Sequence, residues 1–316
     1  MDLHPLSFHE FLAADGKQQM VELLDRGEWD LIRQFRQRFI TSLREYFFLG
    51  GMPEVVSAFL SNRDFKSARQ VQERILAAYE LDFSKHAPTN IVPRIRMIWN
   101  SIPSQLAREN RKFIYGAVKP GGRAKDFELA LAWLSDSGLV HKVNRISKPG
   151  LPLKAYEDFS AFKLFAVDLG LLAAMGELSE RALLEGNRIY QEFKGSLTEQ
   201  YVLQQLKSAR VRSICYWSSQ NSSGEVDFVV QQDDRIGALE VKAEENLQAK
   251  SLRAFHEKYP ETRPFGHPCL ISERGMDDQP SPVCHPASFE GNALIRGPTA
   301  KSGWRSRGRE RRRRRR

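Results

Sequence analysis

Cysteine is scarce in this chain of 316 residues. Cys215, Cys269 and Cys284 follow no disulfide or zinc spacing, so neither a stapled scaffold nor a zinc module is expected. No apolar run approaches the roughly 18 residues that a membrane span requires. The N-terminus has no positively charged stretch leading into an apolar one, so a secretory leader is not expected either. A phosphate-cradling G-x-x-x-x-G-K-[ST] loop is also lacking, since Gly16-Lys17-Gln18 does not make one, and ATP is not an expected cofactor. These absences together lead to the expectation of a cytoplasmic protein that makes no membrane contact.

Excess charge is absent outside one place. The formal net charge is +9, but residues 301–316 hold ten Lys and Arg against Glu310 alone, which accounts for all of it. The first 300 residues are neutral overall, and the basic balance says nothing about the folded part. What is present is an apolar fraction of 41% in a chain long enough for two or three domains.

Residues 1–88 read as helical. Ser7 with Glu10 three residues on has the form of a capping box, and Phe8, Phe11 and Leu12 supply an apolar face. A second helix is expected over Trp29–Phe48, stopped by Gly50-Gly51 and Pro53, and a third from about Asp64 to Phe83. In residues 89–158, helices carrying Ile95, Ile98, Trp99 and Phe127 through Leu134 precede a strand at Leu139–Val143. A partner strand is expected near Leu153–Tyr156, making a winged-helix-like unit. Arg123, Lys125, Lys142, Arg145 and Lys148 either touch phosphates or merely solvate the wing.

The most informative stretch is Glu225-Val226-Asp227-Phe228-Val229-Val230 followed by Ala238-Leu239-Glu240-Val241-Lys242. It has the pattern of a β-hairpin around Asp233-Asp234. A two-residue loop pairs Gln232 with Arg235 and puts Asp227 opposite Glu240, with Glu225 opposite Lys242. Opposed Cβ atoms sit roughly 5 Å apart, where like charges destabilise, so a compensating cation is needed. A divalent ion held with a substrate phosphate would supply one, which outlines a phosphodiester-cleaving site. The same residues also fit the wet face of an ordinary sheet. Upstream, Ser196 and Glu199 are expected to open a helix, with Glu199 either capping it or joining the acidic cluster. A strand at about Ser213–Trp217 leads into the hairpin, and a helix near Gln248–Tyr259 follows it.

The segments Phe48-Leu49-Gly50-Gly51-Met52-Pro53-Glu54, Gly195 to Glu199, Tyr216-Trp217, Glu225-Val226-Asp227-Phe228 and Leu239-Glu240-Val241-Lys242 resemble the C-terminal region of a large group of prokaryotic AAA-type ATPases. That region is named only as a domain of unknown function, and it is similar to the restriction-endonuclease-like fold with its PD-(D/E)xK motif. The resemblance covers roughly residues 1–265 and implies Glu199 as the helical acid, Asp227 as the first strand acid, and Glu240 with Lys242 as the E-x-K half. It implies Mg or Mn held by Asp227 and Glu240, with Glu199 and Lys242 completing a nuclease-like site. Without a P-loop, the chain is similar to the family's C-terminal portion alone.

The expectation is therefore an α/β protein in four parts. A helical remnant at 1–88 is followed by a winged-helix-like module at 89–158 and a restriction-endonuclease-like, PD-(D/E)xK domain at 159–264. The last part is a disordered Arg-rich tail at 265–316. Beyond Pro264, Pro, Ser, Gly and Arg displace periodic sequence, which is expected of a reading-frame change near residue 265 or, alternatively, of an arm that binds nucleic acid non-specifically. The functional expectation is metal-dependent nucleic-acid cleavage, or a non-catalytic module that binds nucleic acid or a protein partner.

Overall fold

The computed structural model describes residues 3–108, 111–185, 188–219, 224–242, 250–264 and 269–270. The tail from residue 271 onward, with Cys284 and the frame-change expectation, lies outside them. The helical part runs α1 (Phe8–Ala14), α2 (Gln18–Arg26), α3 (Trp29–Gln34), α4 (Arg36–Leu49), α5 (Pro53–Asn62) and α6 (Phe65–His86). It continues through α7 (Val92–Leu106), α8 (Tyr115–Val118) and α9 (Ala124–Asp136). Then come β1 (Val140–Ile146), β2 (Glu157–Ala166), α10 (Leu169–Met175), α11 (Glu180–Glu185) and α12 (Arg188–Ser208). The remaining elements are β3 (Ser213–Ser218), β4 (Glu225–Gln232), β5 (Arg235–Leu239), β6 (Val241–Lys242), α13 (Lys250–Lys258), β7 (Arg263–Pro264) and β8 (Cys269–Leu270). The protein is thus α/β, with a helical N-terminal part and a mixed sheet towards the C-terminus.

Local chemistry sets many of these boundaries. Ser7 and Glu10 form the expected capping box on α1. Asp64 accepts from the backbone N–H groups of Lys66 and Ser67 and starts α6. Gly50 ends α4 with φ +72°, a left-handed conformation that favours glycine. Three expectations are corrected. The helix over Trp29–Phe48 is two helices, broken at Phe35. The strand expected at Leu153–Tyr156 is a short 3₁₀ turn there, and the pairing strand is β2, which begins at Glu157. The helix expected to open at Gly195 already begins at Arg188, which removes Ser196 and Glu199 from any capping position.

The six-stranded sheet has the order β2-β1-β3-β4-β5-β7. Its β1–β2 edge is antiparallel, and β1 pairs parallel to β3 through Arg145–Tyr216 and Ile146–Trp217. The hairpin expected as a wing is therefore the edge of the same sheet that carries the Asp227 strand. Strand pairing also continues past Pro264, because β8 pairs parallel to β6.

One face of the sheet joins the large core beneath α12 and the helical part, where Phe165 packs on Phe228. The other face holds a smaller core of Ile146, Leu153, Trp217, Val226, Val229 and Phe255, closed by α13. The helical part and the sheet are fastened by a buried polar knot. Asp168 caps α10 by accepting from Leu171 N–H at 2.9 Å, and it accepts from Gly51 N–H at 2.7 Å. Gln204 reaches Asp168, the Tyr46 hydroxyl and Leu169 N–H, while Gln205 accepts from Phe8 N–H at 2.9 Å. A Cβ on Gly50 would fall on the Asp168 carboxylate and one on Gly51 on Leu6, so both glycines are needed for this close approach.

A buried carboxylate centre between β2, α12 and β4

Two residues of the hairpin sit as its register dictates. Gln232 pairs with Arg235 around a turn in which Asp233 takes φ +50°, a conformation Asp tolerates. Phe228 pairs with Leu239 as the last pair of the ladder, so the expected opposition of Asp227 to Glu240 is not part of it. The ladder ends there because Asp227 uses its side chain: Oδ2 accepts the Val241 N–H at 2.7 Å. Across the strand, Cys215 pairs with Val229 and Trp217 with Val226, so β4 carries one extra residue beside Tyr216. Such a bulge re-aims side chains, and here it turns Asp227 towards the face occupied by α12.

A cation from β2 gathers Asp227 with Glu225 and Glu199 rather than with Glu240. Lys163, fully buried, places its Nζ 2.5 Å from Glu225, 3.3 Å from Glu199 and 3.6 Å from Asp227. The Tyr216 ring lies 5.2 Å from the same ammonium. Arg111, from the segment between α7 and α8, forms a second ion pair with Glu199. Its backbone is left-handed, φ +47°, and Gly195 leaves the space that its guanidinium fills. Burial works against the Lys163 ammonium, but Glu199, Asp227 and Glu225 hold it protonated above the usual lysine range. Burial likewise pushes Glu199 up, yet Lys163 and Arg111 prevail and keep its carboxyl below the ordinary value. Burial and then the neighbouring Glu199 carboxylate push Asp227 well above the ordinary range.

The four residues singled out in the sequence are only partly brought together. Glu199 and Asp227 share the centre through Lys163. Glu240, 4% exposed, accepts from Leu252 N–H at 3.3 Å and so serves the first turn of α13. Lys242 lies in β6 and its side chain is outside the described residues. Lys163 and Arg111 escaped the sequence reading. A signal for Lys163 existed, a lone cation within the apolar run Ala161–Val167, whereas Arg111 offered none.

For the Mg or Mn implied by the resemblance, the donors are already engaged. Glu199 serves Arg111 and Lys163, Asp227 serves Val241 N–H and Lys163, and Glu225 serves Lys163. Among the described residues no group of three or more His, Cys, Asp or Glu is arranged to hold a metal ion. A cavity of about 530 Å³ between α2 and α4, lined by Lys17, Met20, Arg38 and Ser42 among others, shares no residue with the centre. Of the basic residues expected on the wing, Arg145 is paired with Asp158 and Lys148 lies 4.9 Å over the Tyr156 ring. No helix among the described residues is long and apolar enough to cross a membrane.

Comparison with known proteins finds two family models. Residues 40–182 match a domain of unknown function, DUF8612, and residues 194–285 match a second domain of unknown function, DUF4143. The second match extends beyond residue 265, where the sequence reading placed the end of the folded part. Neither a curated protein nor a solved structure matches the chain.

Proposed function

We propose that this chain is a nuclease-like module, akin to the C-terminal region of prokaryotic AAA-type ATPases, that binds nucleic acid without cleaving it. The match of residues 194–285 is a hint in that direction for the ATPase-associated region. The observation that carries the non-catalytic half is the engagement of the Glu199, Glu225 and Asp227 carboxylates with Lys163. Engaged in this way, they have no oxygen pair directed at a phosphate-bound ion.

Nucleic acid is favoured as the partner by where the charge lies. Residues 89–158 contain twelve Lys and Arg against six Asp and Glu, a net +6 within a 300-residue stretch that is neutral as a whole. Arg108, Lys119, Lys125, Lys148 and Lys154 are exposed there. Exposed cations concentrated in one segment favour sequence-independent phosphate contacts. Phe159, 69% exposed on the adjoining strand, adds an aromatic surface of the kind on which bases stack. Metal-dependent cleavage is the second reading, and the bulge that turns Asp227 towards Glu199 in the centre favours it.

Fluorescence anisotropy with labelled single- and double-stranded DNA and RNA separates the two. Binding that weakens with salt, falls on the double change Lys148→Glu and Lys154→Glu, and leaves the strands intact with Mg²⁺ or Mn²⁺ is the expected result. Metal-dependent cleavage that Asp227→Ala abolishes would restore the enzyme. Absence of binding to all four probes would overturn the nucleic-acid assignment.

A further inference from the structure

We propose that Lys163 is the resident cation of the carboxylate centre, so that an ion-pair joint between two regions of the chain stands where a metal ion would. Both cations, Arg111 and Lys163, belong to residues 40–182, and all three acids, Glu199, Glu225 and Asp227, belong to residues 194–285. The joint is therefore built from opposite charges contributed by the two matched regions. Neither region could bury its own share alone: three carboxylates without cations, or a fully buried lysine without acids, would each carry an uncompensated charge.

The geometry excludes a shared occupancy. A lysine ammonium has three N–H donors, and this one faces three carboxylates with the Tyr216 ring beside it, so its capacity is spent. Magnesium demands oxygen ligands at about 2.0–2.1 Å in octahedral array, a volume that the Lys163 Nζ fills. Glu240, the acid expected to share a metal with Asp227, accepts instead from Leu252 N–H. Two local features serve the same arrangement. Arg111 adopts a left-handed conformation that is uncommon outside glycine. Position 195 is glycine, and a Cβ there would press on Nη2 of the Arg111 guanidinium, whose Nη1 pairs with Glu199.

The proposal concerns the charge balance of the centre and rests on the non-catalytic reading only in sharing that site. Its test reads metal binding and stability, with no nucleic acid present, so its failure leaves the nucleic-acid reading standing and the converse also holds. The full-length wild type, Asp227→Asn and Lys163→Met proteins would be titrated with Mn²⁺ by calorimetry and melted with and without it. The wild type is expected to show no Mn²⁺ heat and no change in melting temperature. Lys163→Met is expected to melt lower and to regain about 5 °C or more with excess Mn²⁺, as the freed carboxylates take up the ion. Adding Glu199→Gln to Lys163→Met should abolish that recovery.

Mn²⁺ binding by the wild type that drops about tenfold in Asp227→Asn would overturn the proposal. A Lys163→Met protein as stable as the wild type and indifferent to Mn²⁺ would do the same. Should Lys163→Met fail to fold, the comparison of wild type with Asp227→Asn decides the question unaided.

Discussion

Two places in this molecule bury carboxylates, and they do so by opposite means. At the Asp168 knot the partners are neutral: the backbone N–H groups of Gly51, Gly170 and Leu171 and a glutamine amide. At the Glu199 centre the partners are cations, Lys163 and Arg111. The two protonation tendencies differ accordingly. Burial carries Asp168 upward in spite of its donors, whereas the cations carry Glu199 downward in spite of burial. At Asp168 the neutral donors do not outweigh burial, whereas at Glu199 two nearby positive charges do.

The most damaging way to test that contrast is to remove the acceptor at the knot. Asp168→Ala leaves Gly51 N–H, Leu171 N–H and Gln204 without their oxygen, and should cost about 3–5 kcal/mol in urea unfolding. Gly50→Ala, which drives a methyl group into the same carboxylate at a positive φ, is expected to be as severe. Asp168→Asn, which keeps an acceptor oxygen, should cost roughly half as much. Next comes Lys163→Met at the charged centre, expected to cost about 3 kcal/mol because it leaves buried acids unpaired. Glu199→Gln in the same background should return part of that loss, while no neutral change elsewhere repairs Asp168→Ala.

Acidity sharpens the contrast further. Glu199, held below its ordinary value near 4.5, contributes stability that is present above that pH and lost as the pH falls below it. Asp168 has the opposite sign. Its folded value is raised above 3.8, so the folded state binds the extra proton and stability declines as the pH rises through that interval. Stability measured from pH 3 to 7 should therefore lose its acid-side fall in Glu199→Gln and its decline above about 4 in Asp168→Asn. The smallest effect is expected from Asp227→Asn. Burial already pushes this acid's pKa up, and an amide oxygen can still accept from Val241 N–H, so the change should stay within about 1 kcal/mol.

The hairpin was legible in the sequence because its period-2 pattern and Asp233-Asp234 turn fix one register, and Gln232 does pair with Arg235. The Ser7 cap, the Asp64 cap and the Gly50 stop were legible for the same local reason. The need for a cation at Asp227 was legible too, although the acids that share it are Glu199 and Glu225 and not the expected Glu240. The source of that cation was not. Lys163 lies 36 residues from Glu199, and Arg111 lies 88 residues from it, so no short-range pattern could bring them together. The capping reading of Ser196 and Glu199 failed because a local motif was taken as a helix start within a helix begun at Arg188. Ser196 instead donates to the Leu106 carbonyl, 90 residues away.

The glutamines of α12 carry a consequence for the order of events on the ribosome. Gln205 closes on Phe8, 197 residues earlier, and Gln204 closes on Tyr46, 158 residues earlier. At synthesis rates of about 5–20 residues per second, the first helix emerges roughly 10–40 s before its partner exists. During that interval the apolar faces of Phe8, Phe11 and Tyr46 have no sheet domain to cover them. Newborn chains are thus obliged to wait with their N-terminal helices unsealed, a window in which a holding chaperone would find its substrate and after which it would be dismissed.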